Sequence, residues 1–178
     1  MPRLFVALRP PSSVREALLG TMSGVPGARW QDDDQLHLTL AFLGKVEERN
    51  GEALFDALGA VHSPPFELAV SGVGHFERRG AVSALWAALA PSKPLKLLQQ
   101  RVVSACRHAG FPPDTKKFTP HVTLARTSYA GTTAGTWLAD HGTLHTETWP
   151  VERFILYESH LRPEGSLYEP LMQFALRG

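Results

Sequence analysis

The residues with the most chemical capacity in this chain stand in two short segments, His37-Leu38-Thr39 and His121-Val122-Thr123. Each lies inside an apolar run: Leu36-His37-Leu38-Thr39-Leu40-Ala41-Phe42-Leu43-Gly44, and Phe118-Thr119-Pro120-His121-Val122-Thr123-Leu124-Ala125-Arg126. On a strand, residues i and i+2 project from one face. Each run therefore offers an imidazole and a hydroxyl on one side and packs apolar residues on the other. Histidine titrates near neutrality, so one imidazole can act as base while a second acts as acid. A threonine hydroxyl can donate a hydrogen bond to a phosphoryl oxygen without adding charge. The chemistry that fits is acid–base opening of a phosphodiester. A cyclic phosphodiester supplies its own electrophile and calls for no nucleophilic side chain.

One such triplet would be weak grounds, since a hydrogen-bonded structural histidine is the simpler reading. The chain itself makes the point with a third match, His141-Gly142-Thr143-Leu144, which is set aside because no strand alternation surrounds it. Two copies on strongly patterned strands, one in each half, favour catalysis.

The elements that must position these residues are readable from periodicity and punctuation. Leu4 to Leu8 is a first strand, ended by Pro10-Pro11. A helix over Val14 to Leu19 follows, with Ser13 and Glu16 in capping-box spacing. Trp30 to Asp34 is a polar connection, and Leu36 to Leu43 is the strongest strand, closed by Gly44. Glu47 to Val61 has helical periodicity. Phe66 to Val73 alternates as a strand, Phe76 to Gly80 reads as a hairpin connection, and Ala81 to Leu89 as its partner strand. Lys93 to Ala109 is the clearest helix, with Gly110 in the C′ position. Phe118 to Ala125 is a strand. Ser128 to Gly142 is a loop with a short helix around Trp137-Leu138. Strands over Trp149 to Glu158 and Tyr168 to Leu176, joined by the polar segment Ser159 to Ser166, close the chain. Helices mixed with antiparallel hairpins indicate an α+β fold. The single H-x-T strand in each half suggests a duplicated unit with approximate two-fold symmetry. No linker divides residues 1–178, which are expected to form one domain.

Composition narrows the function classes. The 178 residues are 43% hydrophobic and 20% charged, ordinary for a globular chain. A net charge of +1 is not that of a polybasic duplex-binding scaffold, though it leaves room for a small basic pocket. One cysteine, Cys106, allows no intrachain disulfide and suits a reducing cytoplasm. No run approaches the roughly 20 apolar residues of a membrane span, so no membrane association is expected. Walker and Rossmann loops and helical zinc spacings are absent, and Asp32-Asp33-Asp34 lacks the glycine and distal glutamate of a calcium loop. No metal and no cofactor is expected. His75 and His160 read as exposed histidines, His75 in a loop, and Lys116-Lys117 as a solvated pair or an attractor of RNA phosphates.

The paired segments closely resemble the H-x-T-x signatures of the two-histidine phosphoesterase superfamily. The resemblance is to its LigT/ThpR-like branch, the RNA 2′,3′-cyclic phosphodiesterases also called 2′-5′ RNA ligases. The likeness runs over nearly the whole chain, from Leu4-Phe5-Val6-Ala7-Leu8 and Trp30 through Gly74 to Trp86, to Glu158-Ser159, Gly165 and Tyr168. It implies a bilobal, pseudo-two-fold α+β fold with antiparallel sheets lining a central cleft and helices outside. It implies His37 as proton donor and His121 as proton acceptor, with Thr39 and Thr123 beside them. It implies Arg126 on phosphate, reaching back from a strand end, and Phe42 stacked on a base. On a regular strand Phe42 falls on the face opposite His37, so stacking requires a bend or bulge; core packing is the alternative. The expected partner is an RNA end bearing a 2′,3′-cyclic phosphate, with no obligatory protein partner. Hydrolysis to a 2′-phosphomonoester, with reverse 2′-5′ ligation, is the leading expectation. The alternatives are action on 2′-5′ oligonucleotides or small cyclic nucleotides, or a non-catalytic RNA-end binding module.

Overall fold

The structure, a computed structural model, describes residues 2–47, 50–128 and 133–178. Glu48 and Arg49 of the expected helix Glu47–Val61, and residues 129–132 of the expected loop Ser128–Gly142, lie outside the described residues. The strands are β1 (Arg3–Leu8), β2 (Ala28–Trp30), β3 (Leu38–Lys45), β4 (Phe66–Leu68), β5 (Val70–Arg78), β6 (Ala81–Leu89), β7 (His121–Thr127), β8 (Trp149–Val151), β9 (Arg153–Arg162) and β10 (Gly165–Ala175). The helices are α1 (Ser12–Leu19), α2 (Gly51–Gly59), α3 (Lys93–His108) and α4 (Gly135–Asp140).

The main sheet is antiparallel, in the order β10-β9-β1-β3-β7-β6-β5, with β2 also on β7. β4 and β8 form a separate two-stranded sheet. The N-terminal and C-terminal strands β1, β9 and β10 thus build one half of the main sheet around β3, while β5, β6 and β7 build the other. The halves join where β3 meets β7, at the pair Leu38–Val122. Beyond that pair the edge of β7 turns to β2, and Gln31 N donates to Leu124 O at 2.8 Å. The two H-x-T segments are therefore neighbours at the centre of the sheet, related by an approximate two-fold axis through Leu38 and Val122.

One face of the sheet carries the main core. Leu4, Val6 and Leu8 of β1, Leu38 of β3, Leu85 of β6, Val122 of β7 and Leu156 of β9 meet Val14 and Leu18 of α1, Leu54 and Leu58 of α2, Leu95, Leu98, Val102 and Cys106 of α3, and Trp137 of α4. Burying a side chain of this kind stabilises the fold by about 1.5–3 kcal/mol, so this face fixes the register of every central strand. The opposite face holds a small second cluster of Phe5, Ala7, Ile155 and Tyr157, with Tyr168 packed against it. No helix among the described residues is long and apolar enough to cross a membrane.

Several expected boundaries shift for identifiable reasons. The capping box at Ser13 and Glu16 does not form: α1 begins at Ser12 with Pro11 as N-cap and no side-chain cap. The expected connection Phe76–Gly80 is mostly strand. Only Arg79 and Gly80 turn, both with positive φ (53° and 78°), the two-residue turn that follows the twist of a hairpin. His75 therefore lies in β5, not in a loop, and pairs with Leu85. The segment Ser159–Ser166 is likewise mostly strand, because β9 and β10 continue to Arg162 and from Gly165. Gly110 holds the C′ position of α3 as expected, at φ 88°.

Candidate active site

β3 and β7 are irregular in the same way, and the irregularity builds the site. Along β1 and β3, Ala7 pairs with Thr39 and Val6 with Ala41, which leaves Leu40 extra. Along β6 and β7, Trp86 pairs with Thr123 and Leu85 with Ala125, which leaves Leu124 extra. Each is a β-bulge placed directly after the H-x-T. Both residues of each bulge point into the main core: Leu40 is 3% and Ala41 5% exposed, Leu124 and Ala125 0%. The carbonyls freed from the ladder are satisfied elsewhere, Leu40 O by Gln99 Nε2 of α3 at 3.4 Å and Leu124 O by Gln31 N. The next residue in each strand is thereby returned to the histidine side. Phe42 pairs with Phe5, which contacts His37, and is 44% exposed. Arg126 is exposed between Ala84 and Arg29. The bulge expected for Phe42 is present. Arg126 needs no reach from a strand end, because its own bulge turns it to the site.

Leu38 and Val122 are 1% and 0% exposed in the core, so strand alternation turns His37 and Thr39, and His121 and Thr123, to the other face, where all four are half-buried. Each imidazole is oriented by the carbonyl two residues before it. His37 Nδ1 lies 2.7 Å from Gln35 O, and His121 Nδ1 lies 2.6 Å from Thr119 O. A carbonyl only accepts, so Nδ1 carries the proton in both rings and Nε2 is left for chemistry. An aromatic wall flanks each ring. The Phe5 and Tyr168 centroids are 4.8 and 5.0 Å from His37. Those of Phe76 and Trp86 are 5.0 and 5.6 Å from His121.

Burial is the largest influence on both imidazoles and disfavours the charged form. His37 is pushed down to about 4, by burial first, and then by the charges of His121, Arg126 and Arg9 against the opposing carbonyl of Gln35. His121 also falls below the ordinary histidine value, through burial and then Arg126. Arg126 thus acts on both rings, as a group placed between the strands would. At neutral pH the free protein holds two neutral imidazoles beside an arginine, a site poised to accept an anion.

The aromatic wall at His121 depends on Gly74. A β-carbon at position 74 would lie 2.5 Å from Cζ2 and 2.7 Å from Cζ3 of Trp86, its cross-strand partner. Gly74→Ala should displace the indole that packs on His121. Overpacking of this kind costs about 1–3 kcal/mol. The expected result is a lowered melting temperature together with a lower kcat. An unchanged kcat at full stability would mean that Trp86 does not hold His121.

The other candidates lie elsewhere. His141 of the discarded third match sits at the end of α4, with its ring 5.2 Å from Trp137. His75 pairs with Glu77 at 3.1 Å. The His160 side chain is 38% exposed, and its Nε2 lies 3.1 Å from Glu169 and 3.8 Å from Glu158. Among the described residues these three form the one group with metal-ligand types in reach of each other. Glu158 pairs with the core residue Leu4, so the group belongs to the face opposite the histidines. Asp33 of the acid run bonds Arg15 Nε at 2.8 Å, and this contact holds its carboxyl below the usual range. A groove of about 780 Å³ lined by Ala57, His62, Arg101 and His108 between α2 and α3 contains none of the site residues. Periodicity alone did not reveal the roles of Gln35, Arg9, Phe5, Phe76, Trp86 and Tyr168. The readable signal was the pair of adjacent apolar residues, Leu40-Ala41 and Leu124-Ala125, interrupting each alternation.

Comparison with known proteins agrees with this geometry. Residues 10–162 match the 2′-5′ RNA ligase superfamily. An RNA 2′,3′-cyclic phosphodiesterase of Archaeoglobus fulgidus is 30% identical over 175 residues, 97% of this chain and 99% of that one. The crystal structure of TT0787 of Thermus thermophilus matches with a TM-score of 0.81 at 30% identity, over 99% of this chain and 98% of that one. Escherichia coli LigT complexed with 3′-AMP matches at 0.79 and 29%, over 99% of both chains. The matched span runs from just after β1 to the end of β9 and takes in both histidine strands, so the chain belongs to the 2′-5′ RNA ligase superfamily.

Proposed function

We propose that the chain hydrolyses the 2′,3′-cyclic phosphate at an RNA end to a 2′-phosphomonoester, with His37, His121, Thr39 and Thr123 as its catalytic set. The observation that carries this reading is the pairing of two Nδ1-anchored imidazoles across the Leu38–Val122 junction, with both Nε2 atoms left for proton transfer. The relatives named above support the substrate class. His121 Nε2 takes a proton from water as its oxygen attacks phosphorus. His37 Nε2, protonated, gives its proton to O3′ as the P–O3′ bond breaks. Thr39, Thr123 and Arg126 hold the charge that grows on the non-bridging oxygens, the kind of contribution that exceeds others in such sites. Phe42, exposed beside Phe5, stacks on the base. The donor and acceptor roles follow the family resemblance. Attack by a 5′-hydroxyl end in place of water, with O3′ leaving as before, forms a 2′-5′ bond. Residues 1–178 act as one unit, in the cytoplasm, without an obligatory partner protein.

The test is incubation with a 2′,3′-cyclic nucleotide in excess EDTA, with the product compared against authentic 2′- and 3′-nucleotides. The expected result is full activity and a 2′-phosphate. Arg126 and the hydroxyls provide the charge stabilisation that a metal would otherwise provide. One fixed acid and one fixed base select one leaving oxygen for a substrate held in one pose. A 3′-phosphate product would reverse the assignment of His37 to O3′. Loss of activity in EDTA, restored by one divalent ion, would replace the mechanism with a metal-assisted one.

A further inference from the structure

We infer that Gln35 is a positioning residue for His37, tying the orientation of the imidazole to the β9–β10 hairpin. This rests on the two-histidine reading above, and goes beyond it by assigning a function to the turn that precedes the first histidine.

Asp33–Gln35 form a single 3-10 turn immediately before Leu36 and His37. Every polar group of Gln35 is used. Its backbone N–H donates to Asp32 O at 2.9 Å, closing the turn. Its side-chain Oε1 accepts from Asp32 N at 2.9 Å, closing it a second time. Its backbone carbonyl accepts from His37 Nδ1 at 2.7 Å. Its Nε2 donates to Ser166 O at 2.8 Å, across a separation of 131 residues. Ser166 stands at the start of β10, two residues before Tyr168, whose ring meets His37 edge-on at 5.0 Å.

One side chain therefore fixes both the carbonyl that sets the tautomer of His37 and the strand that carries an aromatic wall of its pocket. The other end of the turn is held independently. Arg9 Nη1 donates to Asp33 O at 2.6 Å and Leu36 O at 2.7 Å, and Arg15 Nε bonds Asp33 Oδ1 at 2.8 Å. With those contacts in place, loss of the Gln35 side chain loosens the carbonyl at position 35 rather than the whole segment. The neighbouring Gly165, at φ 131°, lies beside the amide, where a β-carbon would sit at ordinary contact distance, 3.5 Å, from Gln35 Nε2.

The proposal separates two functions of the amide, and two variants separate them in turn. Gln35→Ala removes both side-chain hydrogen bonds. Gln35→Glu keeps the acceptor for Asp32 N and, when ionised, loses the donor to Ser166 O. Both variants should lower kcat on a 2′,3′-cyclic nucleotide by about 10- to 100-fold, as misplacement of a catalytic group does. KM should hold, because Arg126, Thr39 and Thr123 are untouched. Long-range proton–nitrogen NMR of the imidazoles provides a readout independent of turnover. His37 should leave its Nδ1-protonated form in Gln35→Ala and keep it in Gln35→Glu, where the closure to Asp32 N remains, while His121 keeps it in both. The kcat of Gln35→Glu relative to wild type at the same pH should rise at acid pH, where the protonated carboxyl can donate to Ser166 O. Wild-type kcat and an unchanged His37 tautomer in Gln35→Ala would overturn the proposal. So would equal disturbance of His37 and His121, which would mark a general loosening of the fold. If the wild-type protein does not turn over the cyclic nucleotide, the functional reading fails, while the His37 signals still decide the positioning of the ring.

Discussion

Replacing either His37 or His121 with alanine should lower turnover of a 2′,3′-cyclic phosphate by about 10²–10⁴-fold, the usual contribution of one general acid or base. Replacing both should lower it little further, since groups that act in one step are not additive. Each imidazole stands on its own central strand, Nδ1 is committed to a backbone carbonyl, and one nitrogen per ring remains. Neither ring can serve both faces of an in-line displacement at phosphorus, so neither can replace the other. The fold should survive both changes, because β3 and β7 are held by Leu38 and Val122 in the core rather than by the histidines. Steady-state kinetics with thermal unfolding as control makes the measurement. A folded single variant with near wild-type turnover would remove the two-histidine mechanism. A double variant that loses the product of the two single losses would mean that the rings act in separate steps.

The histidines and threonines were legible in the sequence because a strand's period of two turns four chemistry-bearing residues and their apolar neighbours to opposite sides. The same period misplaces whatever follows an inserted residue. Phe42 and Arg126 each stand five positions past a histidine, where regular alternation sends them into the core. Leu40 and Leu124 undo that by absorbing one residue each. The inserted residue shows in sequence only as two consecutive apolar residues, which on their own read as a more hydrophobic strand. The α+β class and the central strands were recoverable from punctuation and periodicity. The order β10-β9-β1-β3-β7-β6-β5 was not, because pairing the first strand with β9 depends on contacts more than 140 residues apart, such as Val6 with Leu156. Gln35 escaped for the same reason: its meaning lies in Ser166, at the other end of the chain. His160 stands at the surface as expected, but its partners were not readable, because the polar stretch around it looks like a loop, whereas hairpin pairing brings Glu169 beside it.

The alkaline limb of kcat/KM should fall below the ordinary histidine value of about 6.5, with activity declining about tenfold per pH unit above it. The catalytic form needs one proton shared between two imidazoles that are both shifted downward, His37 to about 4. A pair of this kind titrates with two macroscopic values that belong to the pair. Both component shifts are downward, so the higher macroscopic value is lowered too. kcat/KM reports the free protein, and its limb should sit there. kcat reports the complex, in which the substrate's anionic phosphate stands beside the rings and stabilises the imidazolium. The alkaline limb of kcat should therefore lie at higher pH than that of kcat/KM. Binding of inorganic phosphate or a 2′-nucleotide should take up a proton and tighten as pH falls toward the free-protein values, within the range where the ligand's own charge is constant. Unfolding does not confuse the alkaline side. A histidine with a folded value below its unfolded one contributes stability fully above about 6.5 and loses it as pH falls from there toward about 4 for His37. Acid loss of activity thus needs a parallel unfolding control, whereas alkaline loss does not. An alkaline limb of kcat/KM at or above 6.5 would mean that the imidazoles are not desolvated in the free protein. Limbs at the same pH for kcat and kcat/KM would mean that the bound phosphate does not stand beside them.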